Sequence, residues 1–125
     1  MDHINIGKLG EEISCDFLEK KGYVVIGRNF RKKFGEIDII AKKSGTLLFV
    51  EVKSTEESGS LGGDGYRPEE HVTGTKLKRL SRTVQIYLSQ AGLGVDSLWE
   101  FAVISVVLDE DKKIARVKMI ADVLS

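Results

Sequence analysis

Apolar residues recur at three- and four-residue steps at Ile6, Leu9, Ile13 and Phe17, which predicts a helix over residues 5–21 with that stripe buried. Asn5 is the expected N-cap, and Gly22, after Lys20 and Lys21, supplies the left-handed C-terminal residue. Gly10 lies on the edge of the stripe and would let a strand approach closely. Glu12 shares a face with Lys8 and Glu19, a solvent pattern. Glu11 instead lines up with Cys15 and Leu18 on a second, partly buried edge. A carboxylate there needs a partner, whether solvent, a lysine or something bound. The β-branched and aromatic run YVVIGRNF at 23–30 predicts a strand, and Phe34-Gly35 a turn. Residues 35–41 and 46–53 predict two more strands. The short Lys43-Ser44-Gly45-Thr46 link makes them an antiparallel hairpin. The second of this pair begins LLFV, apolar on both faces, so it belongs in the middle of a sheet. Period two puts Leu47, Phe49, Glu51 and Lys53 on one face.

Residues 54–67 are glycine-rich and read as a loop, either a flap ordered by substrate or a plain linker. Residues 68–91 predict a second helix. Pro68 lies near N1, Glu69 and Glu70 in the first turn, and Gly74 pushes regular helix towards Thr75. Its apolar stripe is Leu77, Leu80, Val84 and Tyr87 or Leu88, with Gly92 at the end and Lys76, Arg79 and Thr83 on one flank. Residues 99–108 and 114–120 predict a last hairpin across the acidic turn Asp109-Glu110-Asp111. The order α-β-β-β-α-β-β makes an α/β fold, a mixed sheet flanked by helices. The 125 residues suffice for one domain with a single core.

Composition changes this picture little. Apolar residues make up 42% and charged residues 30%, ordinary for a globular protein. No apolar run reaches the length of a membrane span and Cys15 is the single cysteine, and with neither a basic nor an apolar region in MDHINIGKLGEE no secretory signal is expected. A cytoplasmic location is therefore expected, with no membrane partner. Charge changes more. The formal net charge is zero, yet Arg28, Arg31, Lys32 and Lys33 form one acid-free basic run, and Lys76, Lys78, Arg79 and Arg82 another. Each is either a solvated face or a contact for phosphates.

The candidate chemistry lies in Asp38, Glu51 and Lys53. A hard cation such as Mg²⁺ (or Mn²⁺) needs only one or two carboxylates, and Asp38 and Glu51 sit on neighbouring strands. A cation between them would bind a phosphate oxygen and activate water. Lys53 would position that water or stabilise the charge that develops, and Glu11 would orient metal-bound water. Against this, Asp38 could cap a turn, and Glu51 and Lys53 could be a solvated pair at a strand end. Other sites are poorly supported. His3 and His71 lack a zinc pattern, Cys15 lacks an activating histidine, and the glycines at 59–65 lack the lysine of a phosphate loop.

Gly10-Glu11, FLEKKGYVVIGRNFR at 17–31, GEIDIIA at 35–41, FVEVKS at 49–54 and, more weakly, HVTGTKLKRL at 71–80 carry a resemblance. The chain resembles the bacterial UPF0102 proteins and, through them, the PD-(D/E)xK nuclease superfamily and the archaeal Holliday-junction resolvases. The resemblance implies a restriction-endonuclease-like three-layer core and a divalent metal at Asp38 and Glu51. It also implies a catalytic role for Lys53, with Glu11 as the helical acid and Lys76 near phosphate. Where such proteins commonly carry an Arg-Phe-Asp-Val strand, this chain has Glu100-Phe101-Ala102-Val103. The expected activity is Mg-dependent hydrolysis of DNA phosphodiesters, including branched DNA. The alternative is a non-catalytic nucleic-acid-binding protein on the same fold. Arg28, Arg31, Lys32, Lys33, Lys76 and Arg79 are the expected DNA contacts. A two-fold junction substrate would favour a homodimer.

Overall fold

The structure, a computed structural model, describes residues 3–57, 74–94 and 96–121. Among the described residues, seven elements follow the expected order. They are α1 (His3–Lys20), β1 (Val24–Lys32), β2 (Gly35–Lys43), β3 (Thr46–Glu57), α2 (Gly74–Gln90), β4 (Trp99–Asp109) and β5 (Ile114–Ala121). The five strands form one sheet in the order β1-β2-β3-β4-β5. Only β3 and β4 run parallel, because α2 lies between them in the chain and returns it to the starting edge. The β2–β3 hairpin closes on Ser44 and Gly45, both at positive φ (51° and 80°), the turn that suits right-twisted strands. No helix among the described residues is long and apolar enough to cross a membrane.

Two apolar clusters cover the two faces of the sheet, giving three layers. On one face, Ile6, Cys15 and Leu18 of α1 pack on Ile39, Ala41, Leu48, Val50, Ala102 and Ile104. On the other, Leu80, Val84 and Leu88 of α2 pack on Ile40, Leu47, Phe49, Phe101 and Val103. Phe49 is central there, edge-on to Tyr87 and Trp99.

Several details depart from the sequence reading. Helix α1 starts at His3, so Asn5 lies inside it and is not the cap. The deepest line of α1 runs through Ile6, Gly10, Ser14 and Leu18, one step round from the expected stripe; Leu9, Ile13 and Phe17 are only partly buried. The cause is Gly10. A Cβ there would lie 1.8 Å from Ser54 Oγ and 2.9 Å from its Cβ, so β3 approaches the helix axis at that point. Residues 54–57, expected in a loop, extend β3 by pairing with Val106 to Asp109 of β4. The rest of the expected loop, and the expected first turn of the second helix with Pro68, Glu69, Glu70 and His71, lie outside the described residues. Thr83, on the flank of α2 expected beside the core side, is fully buried and donates its hydroxyl to the Arg79 carbonyl.

Candidate functional site

The site forms where β2 and β3 separate. Their ladder runs from Lys43↔Thr46 to Ile39↔Val50 and stops one step before Asp38 would face Glu51. Beyond that point Val52 N–H has no β2 carbonyl to bond. Asp38 Oδ2 takes its place, accepting the Val52 N–H at 2.7 Å. Asp38 thus takes a backbone N–H across the strand fork and not at a turn.

A local reversal of the strands puts Asp38 there. Arg28 pairs with Ile39 and Phe30 with Ile37, and Asn29 and Asp38 lie between these pairs. Strict alternation would put Ile37 and Ile39 on one face. Instead Ile39 packs under α1, and Ile37 under α2. Asn29 makes the switch with φ at 54°, a left-handed conformation that Asn tolerates better than most residues. Arg28 thereby faces α1, with its guanidinium 3.6 Å from Glu11 Oε1, while Phe30 faces α2, edge-on to Tyr87.

Glu51 follows Leu47 and Phe49 on the α2 side. Its Oε1 accepts hydrogen bonds from Lys53 Nζ at 2.9 Å and Lys76 Nζ at 2.7 Å. All three side chains are partly buried. Beside them is a cleft of about 200 Å³ lined by Phe34, Gly35, Glu36, Glu51, Lys76, Arg79, Leu80 and Phe101.

The electrostatics separate the two acids. Burial pushes the Asp38 carboxyl up to about 6; the Val52 hydrogen bond opposes this, and the charges of Glu11, Glu36 and Glu51 add to it. For Glu51, burial also acts upward, but the hydrogen bonds and charges of Lys76 and Lys53 outweigh it and hold the group below its ordinary value. Burial likewise pushes the Cys15 thiol up, as suits a small core residue.

Of the expected site residues, Glu51, Lys53 and Lys76 are in direct contact. Asp38 lies at the adjoining fork, and Glu11 reaches it through its charge. The first basic run is divided. Arg28 turns to Glu11, Arg31 pairs with Glu36 at 2.8 Å, and Lys32 and Lys33 lie over the rings of Phe30 and Phe34. Arg79 lines the cleft. Sequence reasoning missed Phe34 and Glu36, which also line it. Their signal was position alone, on either side of the glycine at a tight turn.

Among the described residues no three acidic, histidine or cysteine side chains are grouped as ligands of one ion. The donor set still suits a hard cation that keeps most of its waters. Asp38 and Glu51 each commit one oxygen, and Asp38 bears an excess of neighbouring negative charge that a cation would relieve.

A model of the "Uncharacterised protein family UPF0102" matches residues 10–106, from the middle of α1 into β4. A UPF0102 protein of Alkaliphilus metalliredigens is 44% identical over 110 residues, covering 88% of this chain and 91% of its own. One from Caldicellulosiruptor saccharolyticus is 37% identical over 120 residues, covering 96% and 97%, and one from Clostridium botulinum 36% over 116, covering 93% and 90%. The matched span contains Glu11, Asp38, Glu51, Lys53 and Lys76, and the chain belongs to the UPF0102 family.

Proposed function

We propose that this protein is a divalent-metal-dependent endonuclease of the PD-(D/E)xK type that cuts DNA phosphodiesters, branched DNA included. The observation that carries the reading is the Glu51–Lys53 contact next to the fork where Asp38 accepts the Val52 N–H, beside a cleft lined by Glu51, Lys76 and Arg79. Asp38 and Glu51 would hold Mg²⁺ or Mn²⁺, which when bound polarises the phosphoryl group and makes water a better nucleophile. The Val52 N–H fixes the Asp38 carboxylate in its plane. Lys53 and Lys76 neutralise Glu51 in the free protein. A phosphate entering the cleft competes for those ammonium groups, so Lys53 can follow negative charge onto the reacting oxygens. Arg79 then steadies the flanking backbone phosphates.

A second reading, a nucleic-acid-binding protein that does not cut, is favoured by the same Glu51–Lys53 pair, which already balances its charge without an ion. One assay separates them. The purified protein is incubated with four-way junction, flap, duplex and single-stranded DNA in Mg²⁺ or Mn²⁺. Cutting is expected to fall by about 10²-fold or more in Lys53→Ala, and likewise in Asp38→Ala, with circular dichroism unchanged. Absence of cutting on every substrate, with wild type matching Lys53→Ala, rejects the nuclease.

A further inference from the structure

The tip of the β1–β2 hairpin rests on α2. A Cβ on Gly35 would lie 3.0 Å from Thr83 Oγ1 and 3.9 Å from the Arg79 carbonyl oxygen. This contact joins the ends of the two basic runs. At the joint stands Phe34, 41% exposed and in neither apolar cluster. The Arg82 guanidinium lies 4.4 Å from its ring centroid, and Lys33 Nζ 5.6 Å. The same ring lines the cleft that holds Glu51, Lys76 and Arg79.

An exposed ring with cations over it offers a nucleic acid two things. Its face, and the plane of an adjacent guanidinium, can stack a base. The cations around it take the phosphates on either side of that base. Within a duplex each base face is already covered by its neighbours. The ring therefore rewards only a base that is out of the stack. Lys33 is the more distant cation, sits on a long flexible stem, and is the one a base displaces.

We propose that Phe34, held by Arg82, is a stacking platform for an unpaired base of a DNA strand whose backbone enters the cleft. The platform would select DNA carrying a single-stranded or unpaired segment over continuous duplex. It rests on the preceding reading for the position of the strand, though the stacking itself needs no cleavage.

The test is binding in EDTA, followed by fluorescence anisotropy, to three DNAs: a plain duplex, the duplex with a single-stranded arm, and the same arm made of abasic sites. The two arms carry the same phosphates and differ only in bases. Wild type is expected to bind the base-bearing arm about 5- to 150-fold more tightly than the abasic arm. Phe34→Trp should keep that gain. Phe34→Ala and Phe34→Leu should abolish it, bringing the two arms to equal affinity within each variant. Leu keeps an apolar side chain against α2, so it removes stacking without emptying the contact.

Equal binding of the two arms by wild type overturns the platform, and so does a gain that survives in Phe34→Leu. The outcomes also separate this inference from the proposed function. A base-dependent gain in a protein that cuts nothing leaves the platform and removes the nuclease. Cutting with no base-dependent gain does the reverse.

Discussion

The two faces of the central strand β3 take alternate residues of one segment, and they end differently. On the α1 side, Leu48, Val50 and Val52 stay apolar to the end of the contact, and Gly10 lets the helix sit directly on Ser54. On the α2 side, Leu47 and Phe49 give way to Glu51 and Lys53. The α1 backbone comes close to β1, β2, β3 and β4, whereas the α2 backbone comes closest to β2 and reaches β3 and β4 through its side chains. One face is therefore a seal and the other is half seal, half site. Partly buried charge is costly, and the apolar face offsets that cost. The difference also places the opening: α2 cannot approach over Glu51 as α1 approaches over Ser54, so a cleft remains there.

The largest expected effect breaks the sealed face. Gly10→Ala would ordinarily favour a helix, but its Cβ would meet Ser54 Oγ at 1.8 Å and Ser54 Cβ at 2.9 Å. The hydroxyl can rotate away; the strand's own Cβ cannot. A loss of roughly 2–3 kcal/mol is expected in urea denaturation, from overpacking. Ser54→Gly in the same chain should return most of it. Full stability in Gly10→Ala alone would mean that the two elements separate easily, and that the seal is no tighter than the open face.

How far this contrast could be read in advance depended on periodicity. Leu47, Phe49, Glu51 and Lys53 share a face because alternation in a central strand is local, so that much of the site was legible. The close approach at Gly10 was also legible, since a glycine beside a buried stripe has few other uses. The reversal at Asn29 was not. Alternation assumes regular backbone, and one positive φ sends Arg28 and Phe30 to opposite faces. It follows that Arg28 through Lys33, one patch in sequence, divides into a pair with Glu11 and a hairpin tip against α2. The tail of β3 was missed because its apolar content is low. Residues 54–57 are held by backbone pairing to β4, which composition does not report.

A smaller effect sharpens the charged half. The native Asp38 carboxyl titrates at about 6, against an ordinary 3.8. Between these values the folded chain binds more protons than the unfolded one, so this group's contribution to stability falls as pH rises. Above pH 6 the ionised group costs about 2 kcal/mol, after allowance for its partial exposure. Asp38→Asn keeps an acceptor for the Val52 N–H and removes the charge. Measured in EDTA, its stability relative to wild type should be near zero at pH 4 and rise by about 2 kcal/mol by pH 7. Added Mg²⁺ should narrow the gap by stabilising wild type alone. A difference that stays flat from pH 4 to 7 would show that Asp38 carries no such burden and needs no cation to relieve it.

The smallest effect tests the hinge between the faces. Asn29 holds φ at 54° where β1 passes from the α1 side to the α2 side. A residue with a plain Cβ pays for the left-handed conformation, so Asn29→Ala should lose about 1 kcal/mol, while Asn29→Gly adopts it freely. Stability alone would make this a backbone effect of no functional interest. The sharper readout is the Asp38 titration. If the reversal at Asn29 aims Asp38 at Val52, the Ala variant should relax the strand towards regular alternation and swing the carboxylate off the fork. Its pKa, followed by carboxyl carbon NMR, should then move from about 6 towards 3.8 in the Ala variant and stay in the Gly variant. If Asp38 titrates at the same pH in all three proteins, the fork holds its geometry without Asn29. The reversal would then be a consequence of the packing of Ile37 and Phe30 under α2, and not its cause.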